Sequence, residues 1–369
     1  MSKNKILFLL HIPPPVHGSS MMGGYVKQSS IINNAFDTTY IDLGTSKTID
    51  QIGKKPLSKI SGYFKIILAT LKQLIRNKPD VAYVAITAKG IGFYKDFIIA
   101  LLIKSFGVQL VLHFHNKGVK DKQDKIIDNI LYGIVFKNTK VILLSKNLYP
   151  DVQNYVSLDH VFYCPNGIPI VKDMDTLNVK QSSIPNILFL SNLIESKGVY
   201  ILLEALSLLK AKNLKFTCNF VGGEGDVSAK QFNKRTTDLN LQDCVYYLGK
   251  KYNNDKTEIF QNASIFAFPT FYHNETFGLV NLEAMMFGLP VISTNEGGIP
   301  DIVIDNKTGF IIEKNNVLQL ADKLEFLLLN PGIAKQMGQL GKDRFLEKYT
   351  IDKFESNLAS ILNSILKSN

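Results

Sequence analysis

The sequence predicts an α/β protein built from two doubly wound domains. Three observations lead to this prediction: a length of 369 residues, a hydrophobic content of 46%, and a regular alternation of short apolar runs with longer helical patterns. Domains usually contain about 100–200 residues, so a chain of this length is expected to form two of them. Strands that alternate with helices form parallel sheets that helices cover on both faces.

Twelve short apolar runs, rich in β-branched residues, are predicted to be strands. In the first half of the chain they are Lys5–Leu10, Thr39–Leu43, Val81–Ile86, Gln109–His115, Lys140–Ser145 and His160–Pro165. In the second half they are Asn186–Ser191, Lys215–Val221, Cys244–Leu248, Ser264–Pro269, Leu289–Thr294 and Gly309–Ile312. Helical patterns lie between them, for example over Gly198–Lys212 and Val317–Leu329. Two sets of six strands imply two Rossmann-like domains.

The boundary between the domains is predicted within Ile168–Pro185, a polar stretch that has prolines near both ends and no apolar periodicity. We therefore expect an N-terminal domain over residues 1–170 and a C-terminal domain over residues 171–350. The amphipathic pattern Ile351–Leu366 predicts a final helix, within residues 351–369, that packs back on the N-terminal domain.

The N-terminus does not resemble a secretion signal. The apolar run Ile6–Leu10 is too short for a signal-peptide core, and three prolines follow it closely. The longest later run, Phe97–Ile103, falls far short of the ~20 residues that span a bilayer. We therefore expect a cytoplasmic protein that can also bind, as a peripheral protein, to the inner face of the cell membrane.

The segment from Phe268 to Val303 combines several features of a ligand site. A strand is predicted to end near Pro269, a loop carries Glu275, and a helix begins near Phe277–Leu279. The first N–H groups of a helix have no partner within the helix, and Gly278 would let a ligand approach them closely. This helix start is therefore expected to bind an anion such as a diphosphate.

Two glutamates lie on either side of this predicted anion site. Glu283 follows about a turn and a half into the helix, ~7 Å along its axis. Its carboxylate can accept hydrogen bonds from two neighbouring ribose hydroxyls, and Glu275 can do the same for a sugar beyond the diphosphate. Together they match a nucleotide sugar. Taken alone, however, the pair is explained equally well as an exposed helix residue and a loop charge.

The whole segment resembles the glutamate–seven residues–glutamate motif of the retaining glycosyltransferases of family 4. The agreement extends to Ala284, Gly288, Pro290, Gly297, Gly298 and Pro300. The resemblance implies the GT-B fold, in which two Rossmann-like domains face a cleft. It also implies that Glu275 contacts the transferred sugar and that Glu283 binds the ribose. The backbone amides that would hold donor oxygens are those of Phe277, Gly278 and Leu279. Thr276 stands where glycine is common in the family, which leaves the donor sugar open.

A second match to the family follows the predicted strand Asn186–Ser191. Lys197 precedes a helix start, where a cation is poorly placed for helix stability and an anionic ligand would explain it. The family usually has Gly-Arg followed by Lys-Gly here, and both cations grip the diphosphate. This chain keeps Lys197 and Gly198 but has Asn192 at the arginine position. We therefore expect Lys197 to carry more of the diphosphate charge, while Asn192 offers a hydrogen bond.

The resemblance covers the second domain from about residue 186 to residue 313. Within it, Gly249 and Lys250 end a predicted strand where the family passes close to the nucleotide base, so they are expected to contact the donor. The first domain matches only at scattered points.

Three of these points in the first domain concern candidate site residues. Gly18 and Ser19 follow the first strand, where the family has a Gly-Gly turn that faces acceptor and diphosphate. His17, beside them, is either a ligand contact or a surface histidine. At the end of the fourth strand, His113 and His115 alternate onto the same face. The family has a histidine near the transferred sugar here, and alignment of the apolar run favours His115 as the catalytic-site residue.

A possible metal motif is weak. Asp173 and Asp175 fit the Asp-any-Asp pattern that holds a metal in the other large glycosyltransferase fold, but they lie in the polar interdomain stretch. We expect no metal site and no cofactor, because the resemblance implies a metal-independent enzyme whose substrate is a nucleoside-diphosphate sugar.

The charge is unevenly distributed along the chain. Residues 1–180 carry 23 Lys and Arg against 12 Asp and no Glu, whereas the remainder carries 19 basic and 20 acidic residues. Such asymmetry indicates a membrane surface or a nucleic acid as partner of the basic half, or a generally basic proteome.

One basic segment has helical spacing of its apolar residues, which are Leu57, Ile60, Phe64, Ile67, Leu68, Leu71, Leu74 and Ile75. The flanking cations are Lys55, Lys59, Lys65, Lys72 and Arg76. This pattern predicts either a membrane-surface helix or an ordinary helix that packs on the sheet. The position of the charge in the expected acceptor domain favours an anionic membrane surface, and we expect no nucleic acid as partner.

The sequence thus predicts a retaining glycosyltransferase that moves a sugar from a nucleoside-diphosphate sugar to a saccharide or lipid-linked saccharide acceptor. Bacterial surface polysaccharide synthesis is the expected setting. The alternatives are a nucleotide-sugar epimerase or hydrolase of the same fold, and a non-catalytic GT-B subunit, which the loss of the arginine at Asn192 keeps open.

Overall fold

The structure, a computed structural model, describes residues 3–44, 57–171 and 184–367. The chain forms two compact units, one from residues 1–166 and 351–369 and the other from residues 167–350. Each unit is built on a six-stranded parallel sheet with helices packed against it. The predicted fold class, an α/β protein with two doubly wound sheets, is confirmed.

All twelve predicted strands are present, with ends that differ from the prediction by three residues at most. In the first unit they are β1 (Lys5–Leu10), β2 (Asp37–Asp42), β3 (Val81–Ile86), β4 (Gln109–Phe114), β5 (Lys140–Leu143) and β6 (Val161–Tyr163). In the second unit they are β7 (Asn186–Leu190), β8 (Thr217–Val221), β9 (Val245–Tyr247), β10 (Ile265–Phe268), β11 (Val291–Thr294) and β12 (Gly309–Ile312).

Thirteen α-helices occur in the described parts of the chain. The first unit contains α1 (Gly18–Gln28), α2 (Ser30–Ala35), α3 (Leu57–Arg76), α4 (Gly90–Ser105) and α5 (Ile126–Phe136). The second contains α6 (Val199–Ala211), α7 (Ala229–Asp238), α8 (Asn253–Gln261), α9 (Leu279–Met286), α10 (Ile299–Ile302), α11 (Val317–Leu329) and α12 (Pro331–Lys348). The last helix, α13 (Ile351–Lys367), returns to the first unit.

The strand orders are β2-β1-β3-β4-β5-β6 in the first unit and β12-β11-β10-β7-β8-β9 in the second. The central strands are buried on both faces, which is why the sequence shows continuous apolar runs and not alternation. In α6, the buried residues follow helical spacing and form its packed face: Val199, Leu202, Leu203, Ala205, Leu206 and Leu209.

Helix α13 completes the core of the first unit. Phe354, Leu358 and Leu362 are buried among side chains of β1 and α1. Glu355 is nearly buried and accepts a hydrogen bond of 2.6 Å from the hydroxyl of Ser29, at the junction of α1 and α2. The C-terminal segment is therefore a structural part of the first sheet unit.

Helix α3 divides its apolar residues between two sides. Ile66, Thr70 and Leu74 are buried, whereas Phe64, Leu68 and Ile75 are 62%, 52% and 55% exposed. The helix predicted from the spacing is therefore present, and its apolar residues are in part packed and in part exposed. The side chains of Leu57, Lys59 and Ile60, and the whole of Lys55, lie outside the described residues.

No helix in the described parts of the chain combines the length and the apolar character needed to cross a membrane.

Candidate active site

The predicted donor-binding residues of the second unit lie in loops at the carboxyl edge of its sheet. Asn192 and Lys197 follow β7, Lys250 follows β9, and Glu275 follows β10. Strands β10, β7, β8 and β9 are consecutive in the sheet and parallel, so their carboxyl ends share one edge. This is the edge at which open α/β sheets bind ligands.

A salt bridge joins two of these loops. The Nζ atom of Lys197 lies 2.6 Å from Oε2 of Glu275, and the two side chains are only 16% and 13% exposed. The other carboxylate oxygen, Oε1, accepts the N–H of Gly278 at 3.0 Å. Lys197 also lies over the ring of Tyr272, 4.3 Å from its centroid. The Glu275 carboxylate therefore connects a cation to the residue that caps α9.

Glycine makes the approach of these loops possible on the Lys197 side. Gly198 has φ +92, and a Cβ atom there would lie 2.3 Å from the carbonyl oxygen of Pro269. One residue earlier than Lys197, the carbonyl of Ser196 accepts the N–H of Phe271 at 2.7 Å. The turn that carries Lys197 is thus pressed against the end of β10, where only a glycine fits.

The Gly-Gly pair after β11 supports the same loop from the other side. Gly297 has φ +56, and a Cβ atom there would lie 2.5 Å from the carbonyl oxygen of Glu275. The N–H of Gly298 donates to the carbonyl of Thr276 at 2.7 Å. The backbone around Glu275 is therefore held on two sides, which fixes its carboxylate near the start of α9.

Helix α9 begins at Leu279, and Gly278 is its N-cap with φ +69. A Cβ atom at this glycine would lie 2.7 Å from Nδ2 of the buried Asn281. The side chain of Phe277 is buried with its ring edge-on to that of Tyr349, so only its backbone can serve a ligand. The free N–H groups of the first turn give this helix start a positive partial charge.

Glu283 lies one turn further along α9 and has a partner that sequence reasoning missed. Its Oε1 accepts a hydrogen bond from Nζ of Lys256, on α8, at 2.6 Å. Its Oε2 is buried and has no hydrogen-bond partner in the described parts of the chain. No local pattern in the sequence marks Lys256, because its position opposite Glu283 depends on where α8 and α9 lie in space.

Asn192 and Lys250 approach each other at the neighbouring strand ends. Oδ1 of Asn192 accepts the N–H of Gly223 at 3.0 Å, and the Lys250 stem lies so close to Gly223 that a Cβ atom there would be 2.3 Å from Cε. The carbonyl of Gly249 accepts the N–H of Gly222 at 2.9 Å. The side-chain oxygen of Asn192 thus orders a turn, and the NH2 group of the same amide can donate to a ligand.

In the first unit, His17 has a structural role at the start of α1. Its Nδ1 accepts the N–H of Ser20 at 3.3 Å, and its own N–H donates to the Ser20 hydroxyl at 3.0 Å. Gly18 and Ser19 form the first turn of α1, directly after this capping residue. The structure therefore places the predicted turn at a helix N-terminus next to the carboxyl end of β1.

The two histidines of β4 differ in environment. His113 is completely buried, and its Nδ1 lies 2.5 Å from the hydroxyl oxygen of Tyr83, so it is a core residue. His115 is partly buried with its ring centroid 4.2 Å from that of His113. Burial, together with the nearby His11 and His17, lowers the pKa of His115 to about 3. The histidine preferred from the sequence is thus the more accessible one, and it is uncharged at neutral pH.

His11, which directly follows β1, is a second neutral histidine in this region. Burial is the main reason that its pKa is lowered to about 4, and the neighbouring His17 and Lys95 lower it further. Its ring centroid lies 6.3 Å from that of His17. In the sequence, the signal for it is a polar residue at the carboxyl end of the first strand.

The described residues contain no group of three or more His, Cys, Asp or Glu side chains arranged to hold a metal ion. Asp173 and Asp175, the metal motif considered from the sequence, lie outside the described residues.

Comparisons with known proteins show which proteins this chain is similar to. Residues 177–344, which include most of the second unit, match the family "Glycosyl transferases group 1". The chain is 25% identical to the capsular polysaccharide biosynthesis glycosyltransferase CapM of Staphylococcus aureus, over 85% of this chain and 84% of that protein. It is 26% identical to the poly(ribitol-phosphate) alpha-N-acetylglucosaminyltransferase of Staphylococcus aureus (strain COL), over 71% of this chain and 51% of that protein.

Among solved structures, Anabaena Alr3699/HepE in complex with UDP matches 98% of this chain and 100% of its own, with a TM-score of 0.74 and 16% identity. The same protein in complex with UDP-glucose matches 98% of this chain and 99% of its own, with a TM-score of 0.70 and 17% identity. The structural matches show the fold, and the sequence matches show the class of enzyme. The chain is therefore a glycosyltransferase of the two-domain GT-B type.

Proposed function

We propose that this protein is a retaining, metal-independent glycosyltransferase that transfers a sugar from a nucleoside-diphosphate sugar to a saccharide or lipid-linked saccharide in surface polysaccharide synthesis. The single observation that carries the proposal is the arrangement of Lys197, Glu275 and the N-terminus of α9. It brings one cation, one carboxylate and a set of backbone N–H groups to one loop edge of the sheet.

The positive charge and hydrogen-bond donors at this edge of the sheet suit a diphosphate. Lys197 supplies a full positive charge, and the first N–H groups of α9 supply a partial one. As the bond between sugar and diphosphate breaks, negative charge develops on the leaving phosphate, and donors held in position stabilise that charge. Such a site supplies positive charge without a metal ion, which is why we propose metal independence.

Glu275 would then act on the sugar and not on the phosphate. Its carboxylate accepts hydrogen bonds from Lys197 and Gly278, and the diphosphate of the donor substrate would compete for both of these groups. Once the diphosphate takes them, the carboxylate can accept hydrogen bonds from hydroxyls of the transferred sugar. We propose this exchange of partners as the role of Glu275, with Glu283 binding the ribose.

The remaining predicted residues receive supporting roles in the proposal. The amino group of Asn192 donates to the diphosphate, and Gly249 and Lys250 lie beside the base. In the first unit, His115 contacts the transferred sugar as a neutral hydrogen-bonding group, because its lowered pKa keeps it uncharged. The turn at Gly18 and Ser19 serves the acceptor side.

The relatives support the classes of donor and acceptor. The Anabaena protein has been crystallised with UDP and with UDP-glucose, and the Staphylococcus aureus relatives are named for capsular polysaccharide biosynthesis and for poly(ribitol-phosphate) as substrate. For this chain we propose a nucleoside-diphosphate sugar as donor and a surface-polymer saccharide as acceptor.

We propose that the protein acts at a membrane surface. Residues 1–180 carry an excess of 11 positive charges, and α3 leaves Phe64, Leu68 and Ile75 exposed beside the exposed Lys65 and Lys72. Exposed apolar side chains among lysines suit the interface of an anionic membrane. A lipid-linked acceptor would be presented at that interface.

The proposal is tested by transfer assays with the purified protein. UDP-, GDP- and ADP-sugars are supplied with lipid-linked saccharides extracted from bacterial membranes, and nucleoside-diphosphate release is measured with and without acceptor. We expect acceptor-dependent release and a product whose anomeric configuration, determined by NMR, equals that of the donor. Conversion of the nucleotide sugar without acceptor would favour an epimerase or hydrolase, and binding without turnover would favour a non-catalytic subunit.

A further inference from the structure

Lys256 is an unassigned residue that contacts the glutamate proposed to bind the ribose. Its Nζ lies 2.6 Å from Oε1 of Glu283, and the two side chains are partly buried. We propose that Lys256 is a positioning residue that fixes the Glu283 carboxylate for recognition of the ribose hydroxyls of the donor nucleotide. This inference rests on the proposed function and extends it to the selection of ribose over deoxyribose.

The position of Lys256 is built into the packing of α8 and α9. Phe260 lies four residues after Lys256, so the two side chains are on the same face of α8. Phe287, at the C-terminal end of α9, likewise lies four residues after Glu283 and on the same face. The rings of Phe260 and Phe287 stack in parallel with their centroids 5.0 Å apart. Phe260 is 1% exposed and also lies 6.2 Å from Phe266 of β10. The aromatic stack therefore sets the distance at which Lys256 meets Glu283.

The hydrogen bonding of Glu283 leaves one oxygen for a ligand. Oε1 is occupied by Lys256, whereas Oε2 is buried and has no partner in the described parts of the chain. A buried acceptor without a partner is costly, and the donor that best completes it is a hydroxyl brought by the ligand. A ribose hydroxyl can donate to Oε2 while Lys256 holds Oε1 in place.

This arrangement predicts that Lys256 matters for the hydroxyls and not for the rest of the nucleotide. With methionine at position 256, the Glu283 carboxylate loses the group that orients it. With arginine, a cation of similar reach is kept. The loss of binding affinity should therefore appear with a ribonucleotide. It should be nearly absent with the deoxynucleotide that lacks the hydroxyl bound by Glu283.

The experiment measures dissociation constants by calorimetry for the full-length protein. UDP, GDP and ADP are titrated first, and the tightest of them is compared with its 2′-deoxy and 3′-deoxy forms. For Lys256→Met we expect about tenfold weaker binding of the ribonucleotide, which corresponds to about 1.4 kcal/mol. Binding of at least one deoxy form should stay within about twofold of wild type, and Lys256→Arg should recover most of the loss.

A matched control is Lys212→Met. Lys212 also pairs with a glutamate, Glu325, at 2.5 Å, but it follows α6 and precedes β8, at the opposite edge of the sheet. We expect this variant to bind the chosen ribonucleotide and its 2′-deoxy and 3′-deoxy forms as wild type does. In combination with Glu283→Gln, Lys256→Met should add little further loss, because both changes act on the same hydrogen bonds.

Three results would overturn the inference: unchanged ribonucleotide binding in Lys256→Met, an equal loss for the ribonucleotide and both deoxy forms, or full additivity with Glu283→Gln. Wild-type protein that binds none of the three diphosphates would instead contradict the proposed function itself. The two failures are therefore distinguishable.

Discussion

The ammonium group of Lys197 and the carboxylate of Glu275 form a salt bridge of 2.6 Å across loops that are 78 residues apart in the sequence. The same carboxylate accepts the N–H of Gly278 at the start of α9. Glu275 therefore accepts hydrogen bonds from two of the groups that we assign to the diphosphate of the substrate. Its removal should affect transfer and nucleotide binding in opposite directions.

Replacement of Glu275 by glutamine tests this opposition. Transfer should fall about 10²–10³-fold, as expected when one group that acts on the reacting substrate is lost. The dissociation constant of the nucleoside diphosphate should decrease, because the neutral amide competes less well than the carboxylate for Lys197. Initial rates and calorimetry measure the two effects, and Glu325→Gln serves as control. Wild-type turnover in Glu275→Gln would show that this glutamate has been assigned the wrong role.

Chelation should leave transfer unchanged. Because Lys197 and the N–H groups of α9 supply the positive charge at the proposed diphosphate site, EDTA at millimolar concentration is expected to have no effect on initial rates. A loss of activity that manganese restores would contradict metal independence, and it would make Asp173 and Asp175 candidates for mutation.

The neutral histidines of the first unit predict a loss of stability in mild acid. Their folded-state pKa values, about 3 for His115 and about 4 for His11, lie below the usual 6.5. Between these limits the unfolded chain binds more protons than the native chain, so the free energy of unfolding falls as the pH falls from 6.5 towards 4. Between pH 7 and pH 5.5, each histidine should contribute a loss of about 1 kcal/mol.

Urea unfolding of His115→Asn and wild type at both pH values measures this contribution. The variant should lose about 1 kcal/mol less than wild type does over the same interval. Asp96 acts in the opposite sense, since burial raises its pKa to about 6, but it is present in both proteins and cancels in the comparison. His273→Asn, which alters an exposed histidine, is the control. An identical pH dependence in His115→Asn and wild type would contradict the neutral state of the partly buried His115.

Binding to vesicles tests the proposed membrane surface. We expect the protein to sediment with vesicles that contain anionic lipid, and to be released as the salt concentration rises, because each lysine near an anionic leaflet contributes about 1 kcal/mol. Phe64→Ser with Leu68→Ser should weaken the binding, whereas Leu318→Ser, an equally exposed leucine of the second unit, should not. Equal binding to neutral and anionic vesicles, or none to either, would favour a soluble acceptor.

The strands were predictable because the central strands of a parallel sheet are buried on both faces and stand out as continuous apolar runs. The ends of edge strands were predicted less accurately. Strand β6 was predicted over His160–Pro165 but spans only Val161–Tyr163, and a 3₁₀ turn over Leu158–His160 precedes it. Glu275, Glu283 and Lys197 are proposed as site residues from their motifs. Their partners depend on tertiary structure, which is why the sequence did not indicate that Glu283 pairs with Lys256 on another helix.

The most direct test of the account compares a nucleoside diphosphate with its nucleoside. Calorimetry with UDP, GDP and ADP identifies the bound base, and the matching nucleoside shows what the base and ribose contribute alone. Wild type should bind the diphosphate at least 100-fold more tightly than the nucleoside. A charge-assisted hydrogen bond contributes about 1.5–3 kcal/mol, so Lys197→Met should lose at least tenfold in diphosphate affinity and leave nucleoside binding unchanged. Equal affinity of wild type for diphosphate and nucleoside, or unchanged diphosphate binding in Lys197→Met, would contradict a donor site at Lys197 and α9.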